Sequence, residues 1–65
     1  MEQLTLRFTD PALCAAFCTW FGNCFGHCEV ERDADVRCVR VTIPRKLART
    51  VLTIARTNGA AVLAA

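Results

Sequence analysis

No acidic residue follows Asp35, and no Asp, Glu, Lys or Arg stands between Pro11 and Cys28. Other absences narrow the field further. There is no apolar run of the roughly 18 residues that a bilayer-spanning helix needs. The start, Met1-Glu2-Gln3-Leu4, has no basic n-region, so no secretory leader is expected. No paired carboxylates, no Ser-His-Asp set and no glycine-rich phosphate loop are visible, and the single histidine has no evident catalytic partner. A non-enzymatic protein without a cofactor is the expectation. Cys-x-x-Cys is missing too, which removes the common redox and metallochaperone motifs.

What remains is a chain of 65 residues, 54% hydrophobic and 22% charged. That balance excludes a disordered tail, which is rich in charge and poor in large apolar groups. The length allows one domain, residues 1–65. A domain this small buries only about 60% of its unfolded surface, so nearly every apolar side chain is needed for the core.

The charge is lopsided. Residues 1–36 carry Arg7 and Arg32 against Glu2, Asp10, Glu29, Glu31, Asp33 and Asp35, a net −4. Residues 37–65 carry Arg37, Arg40, Arg45, Lys46, Arg49 and Arg56 without an acid, a net +6 within an overall +2. The total is too small to imply nucleic acid, but the second half can present a basic patch.

Periodicity supplies the elements. In Gln3–Phe8, Leu4, Leu6 and Phe8 alternate with polar residues, which reads as a half-buried strand. Asp10-Pro11 is a helix start: the carboxylate caps free amides, and proline suits the first helical position. The helix is expected to run to Phe21 or Asn23, burying Leu13, Phe17, Trp20 and Cys24, with Phe21 at the edge and Gly22 and Gly26 as candidate stops. Strands are expected over 27–32 and 36–43. A two-residue turn at Ala34-Asp35 would pair Val30 with Val39 and set Glu29 opposite Arg40. A second helix starts at Pro44, capped by Thr42 or Ile43. It buries Leu47, Val51, Ile54 and Ala55 and closes at Asn58-Gly59. Ala60–Ala64 is a last strand, which has no charge or proline to block edge pairing.

The order β-α-β-β-α-β, with right-handed crossovers, is the ferredoxin-like arrangement of α+β class: a four-stranded antiparallel sheet, strand order 4-1-3-2, with two helices on one face. Such a superfold hosts many functions and selects none.

Function therefore rests on local features. Five cysteines are an odd number and, with no leader, point to a reduced, cytoplasmic protein. Cys14, Cys18, Cys24 and Cys28, with His27, are the only candidate metal ligands. Only five residues separate the two cysteine pairs, where zinc motifs leave a longer loop, so buried thiols are the expected role and no metal is assigned. Arg45, Lys46, Arg49 and Arg56 form a basic helix face suited to an acidic partner or an anion. Arg45 and Lys46 lie in the first turn, where each cation opposes the helix dipole at about 0.3–1 kcal/mol.

The first helix presents Ala12, Ala15, Cys18, Thr19 and Gly22 outward, with Phe25 near its end. An uncharged helix face in so small a domain suggests burial against a protein partner or a second copy as a homodimer. The leading expectation is a small regulatory or inhibitory interaction module. Nucleic-acid or anionic-ligand binding through the basic helix is the alternative, a Cys/His metal protein the next, and no membrane association is expected. RNA reading on the sheet is disfavoured, because the outer face offers no aromatic residue for stacking bases.

Overall fold

The computed structural model describes residues 1–64. Its elements are β1 (Glu2–Phe8), α1 (Pro11–Cys24), β2 (Glu29–Arg32), β3 (Cys38–Ile43), α2 (Arg45–Thr57) and β4 (Ala60–Ala64). They form one antiparallel sheet in the order β2-β3-β1-β4. This is the expected order read from the other edge. Helix α1 packs on β1 and β3, and α2 packs on β4 and β1. The fold is α+β and ferredoxin-like.

One core holds the two layers together. Leu4, Leu6 and Phe8 of β1 and Val39, Val41 and Ile43 of β3 point into it, as their alternation requires. From the helices come Cys14, Phe17 and Phe21, and Ala48, Val51 and Ala55. The small Ala48 and Ala55 let α2 sit close to the strands. Aromatic rings fill the α1 end: Phe17 lies 5.2 Å from Phe8 and 6.0 Å from Phe21, and Phe25 lies 5.3 Å from Phe21 and 5.6 Å from Trp20.

The buried stripe of α1 differs from the expected one. Leu13 and Cys24 are exposed and Trp20 is half-buried, whereas Cys14 and Phe21 are inside. Both stripes have helical spacing. The observed one places the Phe21 ring against Phe17 and Phe25, and this aromatic packing fixes the rotation of the helix. The N-terminus is as the sequence indicates: Asp10 Oδ1 accepts the Ala12 N–H at 2.7 Å, and Pro11 takes the first helical position. Gly22 lies within the helix and does not stop it. Gly26 lies in the following turn.

The β2–β3 hairpin is slid by two residues from the simple two-residue turn. Val30 pairs with Val41, Glu31 with Arg40 and Arg32 with Val39. Two aspartates lengthen the loop. Asp33 Oδ1 accepts the Ala34 N–H at 2.6 Å, Asp35 Oδ1 accepts the Arg37 N–H at 2.9 Å, and the Cys38 N–H donates to the Asp35 carbonyl at 2.9 Å. Side-chain capture of backbone amides competes with ladder pairing here. A slip of two keeps every residue on its expected face. His27 lies in the turn before β2 and not in a strand. Helix α1 stops short of the β2 edge, so Val30 is 37% exposed although it points toward the helices.

Helix α2 begins at Arg45 with Pro44 as its cap, not Thr42 or Ile43, and no side chain caps it. Leu47 and Ile54, placed in the buried stripe by sequence, lie half-buried at its border. At its end Gly59 adopts φ 84°, the left-handed turn expected after Asn58. β4 then runs beside β1 with a bulge: Leu6 pairs with Val62 and Thr5 with Ala64, leaving Leu63 unpaired. That bulge disrupts the edge ladder and is a device against edge pairing that the sequence did not reveal.

Candidate functional site

The candidate site is the outer surface of the two helices. On α1, Ala12, Ala15, Thr19 and Gly22 are exposed, as their spacing predicts, and Ala16 and Asn23 join them. Cys18 does not. It is half-buried against the core beside Cys14, because the helix is rotated from the expected phase. Phe25 is also half-buried, inside the aromatic cluster and not displayed at the helix end.

Between the helices lies a cleft of about 190 Å3, lined by Ala16, Phe17 and Trp20 from α1 and by Ile54 and Asn58 from α2. Its surroundings offer few free hydrogen-bonding groups. The Thr19 hydroxyl donates to the Ala15 carbonyl at 3.1 Å, Thr53 to Arg49 at 2.9 Å and Thr57 to Thr53 at 2.8 Å. The Asn58 side-chain amide donates to the Ile54 carbonyl at 2.8 Å. The Thr19, Thr53 and Thr57 donors are thus engaged by their own helices, whereas Thr50, exposed one turn before Ile54, makes no hydrogen bond among the described residues. Sequence reading assigned Trp20 and Ile54 to the core. No local pattern in the sequence shows that they meet in a cleft.

The basic face of α2 is where the sequence puts it, since Arg45, Lys46, Arg49 and Arg56 are all exposed. One of them is compensated. Arg45 Nε donates to Glu2 Oε1 at 3.1 Å, a contact between residues 43 apart that answers the dipole conflict at this position. Among the described residues, Lys46, Arg49 and Arg56 form no ion pair. Arg56 sits in the last turn, where a cation is favoured by the dipole. At about 3.6 residues per turn, Lys46 lies on the crest of α2, and Arg49 and Arg56 lie just beyond it, on the side away from the cleft. The cleft and all of α1 are uncharged; the α2 cations border the cleft along one side, and Arg32 of β2 stands near Cys14 on the other side of α1.

The outer sheet face is different. Gln3, Thr5, Arg7, Glu29, Glu31, Arg40 and Thr42 form it, with Arg40 donating to Glu31 at 3.4 Å. A polar depression of about 110 Å3 near the hairpin is lined by that pair together with Thr5, Arg32, Asp33, Ala34 and Val39.

The residues weighed as metal ligands are dispersed. Cys14 is buried, Cys18 and Cys28 are half-buried, and Cys24 and His27 are exposed. Among the described residues no three His, Cys, Asp or Glu side chains come together as a metal-holding group. Burial, reinforced by the neighbouring Cys18, pushes the Cys14 thiol up to about 11. The neutral thiol is therefore the form the fold prefers. The unfolded chain releases this proton first, so the stability gained from Cys14 is whole below about pH 9 and is lost as pH rises toward 11. We expect a thiol reagent at pH 8 to label Cys24 at once and Cys14 only at the rate of unfolding. Mass mapping of the labelled positions over time checks this, and prompt labelling of Cys14 would contradict it.

Among the described residues no helix is long and apolar enough to cross a membrane. Comparison with protein-family models, curated proteins and solved structures gave no match for this chain.

Proposed function

We propose that this chain is a small non-enzymatic protein-interaction module that binds through its helix layer, in the manner of a regulatory or inhibitory binder. The observation that carries the reading is the uncharged surface spanning α1 and the Trp20 cleft, bordered by the cations of α2. A small domain can keep its whole surface in water with scattered charges. Here the charges are confined to the sheet side, the loops and one border of the helix layer. The remaining surface, with the Thr19, Thr53 and Thr57 donors engaged, loses little on leaving water.

Replacing Ala15 by glutamate puts a charge in the middle of this face without touching the core. The expected result is loss of the partner: tagged wild-type chain captures a specific protein from its own cells, and Ala15→Glu captures none while its circular dichroism is unchanged. Equal capture by both would refute the reading.

A second reading has one observation in its favour, the three unpaired cations on α2. A nucleic acid bound there would copurify, raise absorbance at 260 nm over that of the single tryptophan, and leave as salt is raised.

A further inference from the structure

We infer that the occupant of the α1–α2 cleft is an amphipathic helix of another protein, apolar on the side that enters the cleft and acidic along one flank. The inference rests on the interaction-module reading and names the partner's chemistry.

Hydrogen bonding selects a helix. An extended segment laid on this surface needs donors and acceptors for its backbone. The surface offers few, because Thr19, Thr53, Thr57 and Asn58 donate to carbonyls of their own helices, which leaves Asn23 and Thr50 as the free amide and hydroxyl side chains on the two helices among the described residues. A helix arrives with its backbone bonds already made, so only its side chains need to fit. The groove between two neighbouring helices is a natural seat for a third. An apolar side chain of the incoming helix fills the cleft against Phe17, Trp20 and Ile54.

Charge sets the flank. Over the α1 side the guest meets Ala12, Ala15 and Thr19 and needs no charge. Over the α2 side it meets Lys46 on the crest, and the long Arg49 and Arg56 side chains stand beyond that crest. Arg49 and Arg56 are seven residues apart, about 10.5 Å along the axis. Acidic residues at heptad spacing on a helix lying alongside have the same repeat. The groove is as long as its helices, 14 and 13 residues or about 20 Å, and a guest of about 18 residues spans it.

The same charges argue against a second copy of this chain. Helix α1 carries no charged residue, and α2 carries only cations. All six acids lie on β1, β2 and the loops. Neither helix can therefore supply an acidic flank to a second copy. Nucleic acid is a poor fit to the cleft itself, where half the contact surface offers no cation to a phosphate.

The test is selection from a displayed library of helical peptides of about 18 residues, randomised on every face, against the immobilised full chain. Winners are then titrated in solution while Trp20 fluorescence is read, since this sole tryptophan lines the cleft. The expected winners carry an apolar stripe and acids along one flank, and they shift Trp20 emission saturably. Their affinity should fall roughly tenfold or more on the Lys46→Glu/Arg49→Glu double variant. Exchanging their acids for lysine should restore binding to that variant, a rescue that a misfolded variant cannot give. Absent, basic or uncharged winners, an unmoved Trp20 signal, or equal binding to the double variant would each overturn the inference. If the double variant captures the cellular partner as wild type does while Ala15→Glu does not, the acidic-helix inference fails and the module reading stands. If Ala15→Glu also captures it, both fail.

Discussion

Phe21→Ala is expected to cost about 3–5 kcal/mol, the usual range for removing a buried phenylalanine. Phe21 has no exposed surface, and its ring meets Phe17, Trp20 and Phe25 at centroid distances of 6.0, 6.5 and 5.3 Å. Truncation removes the middle of this cluster and leaves a cavity that the rigid helix and sheet close only in part. A domain of this size is stable by roughly 3–10 kcal/mol at typical values per residue. The variant is therefore expected to be largely unfolded or to retain a small fraction of native stability. Urea denaturation followed by circular dichroism measures it. Cys24→Ala is the matching control. Cys24 occupies the stripe that simple periodicity buries, yet it is exposed, so its replacement should change stability by less than about 0.5 kcal/mol. A large effect at Cys24 with a small one at Phe21 would mean that α1 is rotated from the orientation described.

That pair of residues also marks how far the sequence is legible. Strands β1 and β3 are plain from their alternation, because a sheet buried on one face repeats every second residue and admits only two phases. Helix starts and stops are plain at Asp10-Pro11 and Asn58-Gly59, where local chemistry decides. The rotation of α1 is not, for a physical reason: with no charged residue between Pro11 and Cys28, nothing fixes the outer face, and the Leu13–Cys24 and Cys14–Phe21 stripes compete on equal terms. Contacts with Phe8 and Phe25 settle the choice, and they exist only after folding. The β2–β3 register fails for a related reason, since two aspartate side chains take backbone amides that the shortest turn would have used differently. The candidate site divides in the same way. The basic residues of α2 and most of the α1 face follow from helical spacing alone. The Glu2–Arg45 pair and the Trp20–Ile54 cleft join parts of the chain far apart in sequence, and no local pattern announces them.

Gly59→Ala is the second change with a large expected effect. Residue 59 sits at φ 84°, where a side chain brings the β-carbon against the following carbonyl at a cost of about 1–2 kcal/mol. The surroundings add little to this: a β-carbon there would stand 3.4 Å from Thr9 Oγ1 and 3.7 Å from Leu13 Cδ1, ordinary van der Waals contact, so the cost lies in the backbone conformation. The turn that this glycine makes sends the chain from α2 into β4, which pairs with Leu6, Arg7 and Phe8 at the centre of the sheet. Strain at residue 59 therefore acts on the element that covers one side of β1. At the usual sensitivity of a domain this size, about 4–8 °C per kcal/mol, the melting temperature should fall by roughly 4–16 °C. Gly22→Ala should move it the other way. Gly22 lies inside α1 with no atom within 4 Å of an added β-carbon, and alanine is favoured over glycine in a helix by roughly 0.5–1 kcal/mol. Opposite signs at two glycines, read by calorimetry, separate backbone conformation from side-chain loss. A gain at both would show that the left-handed turn at residue 59 is not required.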